Sequence, residues 1–249
     1  MEGAGLCDIA VVAVLWQYFR VSRLSLNDGA ESFDVTVFEA AHPSRVVLFA
    51  VGGGGNPDRH LPLLKYLSDR SCTVVAPHFE RLVSPIPTEG ELLLRGRRLS
   101  LALDSAARPG LIVAGVGHSI GATMLLALAG GQVWMRSGHC LPMIADGRLD
   151  RLALLAPATS FFQRPGALDA VNTPIRAWVG TNDAITPPAQ TRFLKEALGA
   201  RVSVEVDIVD GADHFSFMNE PPPQMTDPLP DLDKFLASLA AVVCGFVTA

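Results

Sequence analysis

Apolar residues fall along this chain in two kinds of run that take turns. Residues 33–38, 45–51, 73–76, 111–116, 152–156, 175–179 and 202–209 are short and rich in Val, Ile, Leu or Phe, and they read as strands. Residues 62–68, 89–106, 122–129, 189–198 and 232–243 carry helical spacing or helix-length apolar runs. Strands alternating with helices predict an α/β fold: a mostly parallel central sheet with helices packed on both faces. No repeat or linker interrupts the pattern, so one domain is expected over residues 1–249, with 131–148 as a small insertion behind the helix at 122–129. The proline-rich stretch 220–230 reads as an ordered loop, because only one helix follows it.

The strand at 111–116 and the helix at 122–129 are separated by a segment that carries chemistry. Gly117-His118-Ser119-Ile120-Gly121 matches G-x-S-x-G, the sharp turn that presents a nucleophilic serine. Such a turn strains the serine backbone, and side chains two residues to either side would collide. Gly117 and Gly121 remove that collision. The strand before the motif and the helix after it are the context that separates a working elbow from a chance match.

A serine hydroxyl is a weak nucleophile and needs a base, which in turn needs an orienting acid. In open α/β sheets such groups gather beyond the carboxyl ends of the strands. The strand at 175–179 is followed by Gly180-Thr181-Asn182-Asp183, and the strand at 202–209 by Asp210-Gly211-Ala212-Asp213-His214. Ser119, Asp183 and His214 therefore stand in the chain order of this type of triad. Asp207 lies within a strand, and Asp210 and Asp213 share the histidine's own loop. His42, His60, His78 and His139 read as surface or packing residues, and His118 as a structural neighbour of the nucleophile.

An oxyanion requires backbone donors. Ile120 N–H, at the start of a helix, is one candidate. The other should come from the loop after the strand at 45–51, which reads Gly52-Gly53-Gly54-Gly55. Bare backbone can approach a ligand closely there; Gly53 N–H is favoured, with Gly54 as the alternative. The same glycines do not make a nucleotide site: G-x-G-x-x-G fails for want of a third glycine in register, and neither G-x-x-x-x-G-K-[ST] nor H-E-x-x-H occurs.

With these residues in place the chain resembles the α/β-hydrolase superfamily from about residue 33 to the C-terminus. Residues 117–121, 180–188 and 211–217 are similar to the dienelactone-hydrolase-like branch. The resemblance implies a Ser-Asp-His esterase without a cofactor. Two departures stand out. Ser119 occupies the place of the cysteine nucleophile of true dienelactone hydrolases, and Val51-Gly52 replaces the His-Gly pair of many relatives. Many relatives also insert a helical cap after the strand that ends near Ala156. Here residues 157–173 are too few for one, so an open substrate mouth is expected. Phe161, Phe162, Phe215, Phe217, Met218 and Gly54 are candidate pocket residues.

The expected activity is hydrolysis of small or medium soluble carboxylic esters through an acyl-enzyme. The same triad would also serve a thioesterase, amidase or peptidase. A receptor-like protein that binds a small molecule with little turnover is the alternative of another class.

Composition narrows the rest. Hydrophobic residues make up 49% of the chain and charged residues 18%, and the net charge is −5. That balance gives no reason to expect a nucleic-acid partner. The densest basic cluster, Arg95, Arg97 and Arg98, reads as a solvated helix face. Cys7, Cys72, Cys140 and Cys244 form no C-x-x-C pair, so no metal site is expected and free thiols in a reducing compartment are the default. The apolar run at 9–16 is too short to span a bilayer, and Glu2 and Asp8 precede it, unlike the basic start of a secretory signal. It reads as a core-facing element, and a cytoplasmic location is expected.

Overall fold

A computed structural model of the protein describes residues 20–223 and 225–249. The element expected at 9–16 and Cys7 lie outside them. Eight strands form one sheet: β1 (Arg20–Asp28), β2 (Glu31–Glu39), β3 (Arg45–Ala50), β4 (Cys72–Pro77), β5 (Ile112–His118), β6 (Leu149–Leu155), β7 (Ile175–Gly180) and β8 (Val204–Val209). Their order across the sheet is β1-β2-β4-β3-β5-β6-β7-β8. The pairs β1–β2 and β2–β4 are antiparallel and the other pairs are parallel.

Central strands β3 and β4 are buried at every position, which explains their continuous apolar runs. Alternate residues of β3 serve opposite faces. Val46, Leu48 and Ala50 join one core layer, and Val47 and Phe49 join the other. The first layer is closed by α2 (Glu89–Ala106), α3 (Ile120–Leu128) and α4 (Pro188–Leu198). The second is closed by α1 (Leu61–Ser68) and α5 (Leu232–Thr248). All nine residues of α3 are buried, as a helix that is apolar all round must be. A capping box starts α2: Thr88 Oγ1 accepts from Glu91 N–H, and the Glu91 carboxylate accepts from Thr88 N–H.

The sequence pattern misses β1. It is an edge strand whose Val21 and Leu24 stay 48% and 37% exposed, so its apolar positions do not alternate cleanly with polar ones. The last helix also runs five residues further than its apolar pattern suggests, to Thr248.

Between β6 and β7 lies one 3₁₀ turn (Ser160–Phe162) and irregular chain, with no cap domain. The segment 131–148 folds back through a bridge between Trp134 and Cys140. It is tied to the 160s by Trp134 N–H to Phe161 C=O (2.9 Å) and Gln132 N–H to Ala167 C=O (2.7 Å). The cluster of arginines in α2 differs from the expected solvated face. Arg95 and Arg98 are buried, at 2% and 7% exposure. Arg97 is the exposed member and pairs with Asp28. The helix face that carries Arg95 and Arg98 is turned to the sheet, and spacing alone does not distinguish a buried arginine from a solvated one.

Among the described residues Cys72, Cys140 and Cys244 are free, no helix is long and apolar enough to cross a membrane, and no group of side chains is arranged to hold a metal ion.

Candidate active site

Because β3 and β5–β8 run parallel, the loops after them collect along one edge of the sheet. Ser119 lies between the end of β5 and the first residue of α3, with φ 55° and ψ −123°. Its N–H reaches Leu155 C=O on β6 at 2.9 Å, and its C=O accepts from Ala122 N–H at 3.0 Å. A Cβ on Gly121 would fall inside the van der Waals shell of the Ala50 carbonyl oxygen. The close approach of α3 to β3 therefore demands glycine there.

His214 Nε2 is 2.9 Å from Ser119 Oγ, and His214 Nδ1 is 2.9 Å from Asp183 Oδ2. Asp183 and His214 are buried, at 3% and 5% exposure, while Ser119 is half-buried. Two laced loops bring them together. Asn182 N–H donates to Ala212 C=O (2.9 Å), Asn182 Nδ2 to Gly211 C=O (3.0 Å), and Gly211 N–H to Thr181 Oγ1 (2.9 Å). Asp183 Oδ1 accepts from Ile185 N–H (2.9 Å) and Thr186 N–H (2.7 Å). This turn fixes the carboxylate plane. Burial by itself would raise the Asp183 pKa. The hydrogen bond and charge of His214 and the Thr186 donors outweigh it, and hold the carboxyl below its ordinary value.

Thr186 is a member of this group that sequence reasoning did not single out. Its hydroxyl lies 2.7 Å from Asp183 Oδ2, 3.0 Å from His214 Nδ1 and 3.1 Å from Ala156 C=O. The available signal was the D-x-x-T spacing, which closes a side-chain-to-backbone turn.

His118 is buried and supports His214 from behind: its Nε2 lies 3.0 Å from His214 C=O, and the two rings sit 5.0 Å apart. A nitrogen facing a carbonyl must carry the proton, so Nε2–H donates. Burial, then the neighbouring His214 and His60, hold His118 well below the ordinary histidine pKa, and it stays neutral. The His60 ring centre lies 5.3 Å from that of His118, with the rings tilted by 54°.

The other acids are occupied elsewhere. Asp207 bonds Arg176 at 2.8 Å. Asp210 lies 3.4 Å from the Thr181 hydroxyl, at the surface. Asp213 closes its own turn, accepting from Phe215 N–H (2.7 Å) and Ser216 N–H (3.0 Å). Among the remaining histidines, His139 faces Glu89 at 2.9 Å and His78 faces Thr36 at 2.8 Å.

Ile120 N–H and Gly53 N–H have no protein partner among the described residues. Gly53 is half-buried, and Gly54 is exposed. Of the candidate pocket residues, Phe215 stands edge-on to the His214 ring at 5.4 Å, and Phe161 is half-buried. Phe162 and Phe217 are core residues instead, at 0% and 1% exposure. Phe162 packs in the layer of α2 and α3, and Phe217 in the opposite layer against Phe235. Met218 is 6% exposed. In the F-x-F-M run at 215–218, irregular backbone turns the second aromatic inward, which residue type does not reveal.

The sheet order, the helices on both faces and the strand-turn-helix at Ser119 are those of the α/β-hydrolase fold. Solved structures that share it include a dienelactone hydrolase from Anabaena variabilis, 18% identical, with a TM-score of 0.64 over 92% of this chain and 96% of that one. MGS-M1, an α/β-hydrolase enzyme from a Medee basin deep-sea metagenome library, is 15% identical, with a TM-score of 0.64 over 92% and 97%. Thermogutta terrifontis esterase 2 phosphorylated by paraoxon is 15% identical, with a TM-score of 0.63 over 88% and 91%. At such identities the likeness is one of fold. No protein-family model and no curated protein sequence matches the chain.

Proposed function

We propose that this protein is a serine hydrolase that cleaves carboxylic esters of small or medium soluble substrates through an acyl-enzyme. The observation that carries the reading is the unbroken line from Ser119 Oγ through His214 to Asp183, with both contacts at 2.9 Å. Asp183, ionised, accepts from His214 Nδ1–H, which leaves Nε2 bare to receive the serine proton. Ser119 Oγ attacks the ester carbonyl and His214 takes its proton. The negative charge that develops on the carbonyl oxygen is met by Ile120 N–H and Gly53 N–H. His214 then protonates the departing alcohol, and water releases the acid by the same steps in reverse roles. The open region between β6 and β7 supports turnover of soluble esters without interfacial activation.

Paraoxon, which phosphorylates the Thermogutta esterase, provides the test together with a panel of p-nitrophenyl esters. The expected result is hydrolysis of short esters and a single diethylphosphoryl group on Ser119, both lost in Ser119→Ala with the fold unchanged. Normal turnover by Ser119→Ala, or no turnover and no adduct in the wild type, overturns the reading.

A further inference from the structure

Arg95 is buried to 2% exposure, and among the described residues no carboxylate lies within ion-pair distance of it. Its neighbours in the cluster behave differently: Arg97 pairs with Asp28, and Arg98 with Asp28 and Glu31. The guanidinium of Arg95 instead serves two backbone carbonyls from two loops. Nη1 donates to Gly52 C=O at 3.3 Å and Nη2 to Glu80 C=O at 3.0 Å, with the group 4.7 Å over the Phe79 ring. Burial lowers its pKa to about 10, so it stays charged at neutral pH. With Glu91 acting on it only from beyond ion-pair distance, a buried cation here is a poor stabiliser, because an apolar side chain of similar volume fills the same space without the desolvation cost. Stability alone does not explain an arginine here.

The carbonyl it holds does. Gly52 C=O and Gly53 N–H belong to one planar trans peptide and point in opposite directions. Fixing the carbonyl toward Arg95 turns the N–H away from it. Gly52 itself abuts the nucleophile: a Cβ placed on it would lie 3.4 Å from Ser119 Cβ. The loop is pinned around this peptide by Gly55 N–H to Gly52 C=O (3.1 Å), Leu82 N–H to Gly53 C=O (2.8 Å) and Phe79 N–H to Gly55 C=O (2.9 Å). Gly53 N–H is left without a protein partner among the described residues.

We propose that Arg95 is a positioning residue for the oxyanion donor: it sets the Gly52–Gly53 peptide plane and polarises it, so that Gly53 N–H donates more strongly as negative charge builds on the substrate carbonyl. This rests on the serine-hydrolase reading. A charge on the carbonyl end of a peptide strengthens the donor at the other end, as in any hydrogen-bonded chain. Arginine suits the place because its planar fork spans two acceptors at once, where a lysine ammonium gives a single point of contact.

The test compares wild type, Arg95→Met and Arg95→Lys in the full chain on a soluble p-nitrophenyl ester, with a trifluoromethyl ketone as the tetrahedral probe. Arg95→Met is expected to lower kcat by about 10–100-fold, less than the removal of a whole oxyanion donor, with KM within about threefold. Affinity for the ketone should fall in parallel with kcat, while Tm holds or rises. Arg95→Lys should fall between the two, and it carries the test if the methionine variant does not fold. Wild-type kcat in Arg95→Met overturns the proposal and leaves the hydrolase reading standing. So does a loss of rate that tracks a loss of Tm with ketone affinity unchanged, which would mark a packing role. A wild type that neither hydrolyses esters nor binds the ketone overturns both.

Discussion

Two loops meet at Ser119 and differ in how they are held. The elbow at residues 117–121 draws its strained serine, the glycine that lets α3 approach β3 and the start of that helix from one contiguous run, with Ser119 N–H tied to Leu155 C=O on β6. The glycine loop at 52–55 has one local tie, Gly55 N–H to Gly52 C=O (3.1 Å), and Gly55 takes φ 79° where a Cβ would run into the Phe79 carbonyl. Its conformation is imposed by Phe79, Leu82 and Arg95, which lie 24 to 43 residues away in the chain and reach it through single hydrogen bonds. The signal for the elbow therefore lies in five contiguous residues, whereas the glycine loop takes most of its ties from distant ones. The turns that carry Asp183 and His214 side with the elbow, since each is closed by hydrogen bonds among near neighbours.

The largest effect that sharpens this contrast is on the acid. Asp183 is locked by its own turn against His214, whereas Asp213 spends its carboxylate on its own loop. Asp183→Asn should lower kcat by on the order of 10⁴, through the wrong histidine tautomer and the lost charge, with little change in KM. Asp210→Asn and Asp213→Asn should stay far closer to wild type. Steady-state kinetics on one soluble ester decide it, and a crippled Asp213→Asn beside a mild Asp183→Asn would redraw the acid.

The same contrast explains what could be read from the chain. Strands β2 to β7 and helices α1 to α5 follow from runs whose burial matches their pattern, edge strand β8 from its alternating Val and Ile although Ile208 is exposed, and the elbow from a local motif. Edge strand β1 escaped because half-exposed Val21 and Leu24 give no alternation. Phe162 and Phe217 were assigned to the pocket because an aromatic near a functional loop carries no sign of which way irregular backbone will turn it. Arg95 escaped for a deeper reason. An arginine between charged neighbours on a helix looks solvated, and only the packing of α2 against the glycine loop shows that its partners are carbonyls. Thr186 stood in plain view within the Asp183 turn, but its tie to His214 crosses between loops.

A smaller effect separates Gly121 from Gly53 by sterics. Gly121→Ala sets a methyl group against the Ala50 carbonyl, backbone against backbone, and should cost about 3 kcal/mol or more of stability. At Gly53 an added Cβ meets only the Leu82 side chain, at an ordinary 3.5 Å. Gly53→Ala should therefore cost less than about 1 kcal/mol. Urea denaturation of the two variants measures both. Equal losses would mean that Gly53 is as tightly constrained as Gly121.

The smallest effect lies where the two regions touch. His118 belongs to the elbow, and His60 closes the 3₁₀ turn Pro57–His60 that follows the glycine loop; their ring centres lie 5.3 Å apart. Burial, with the charge of Arg59 acting in the same direction, lowers the His60 pKa from 6.5 to about 4. The unfolded chain therefore takes up a proton below pH 6.5 that the folded chain refuses until about pH 4. In that window the unfolded state binds more protons, so stability falls as the pH falls. The slope is about 1.4 kcal/mol per pH unit, or about 2 kcal/mol between pH 6.5 and 5 from this one ring. His118, shifted in the same direction chiefly by burial, adds to the loss in both proteins. His60→Phe keeps an aromatic ring between Phe49 and His118 but has nothing to protonate. Urea denaturation at pH 7 and pH 5 should show the variant losing about 2 kcal/mol less than wild type over that interval. Equal acid losses would mean that His60 titrates alike in both states, and that the joint between the elbow and the glycine loop admits water.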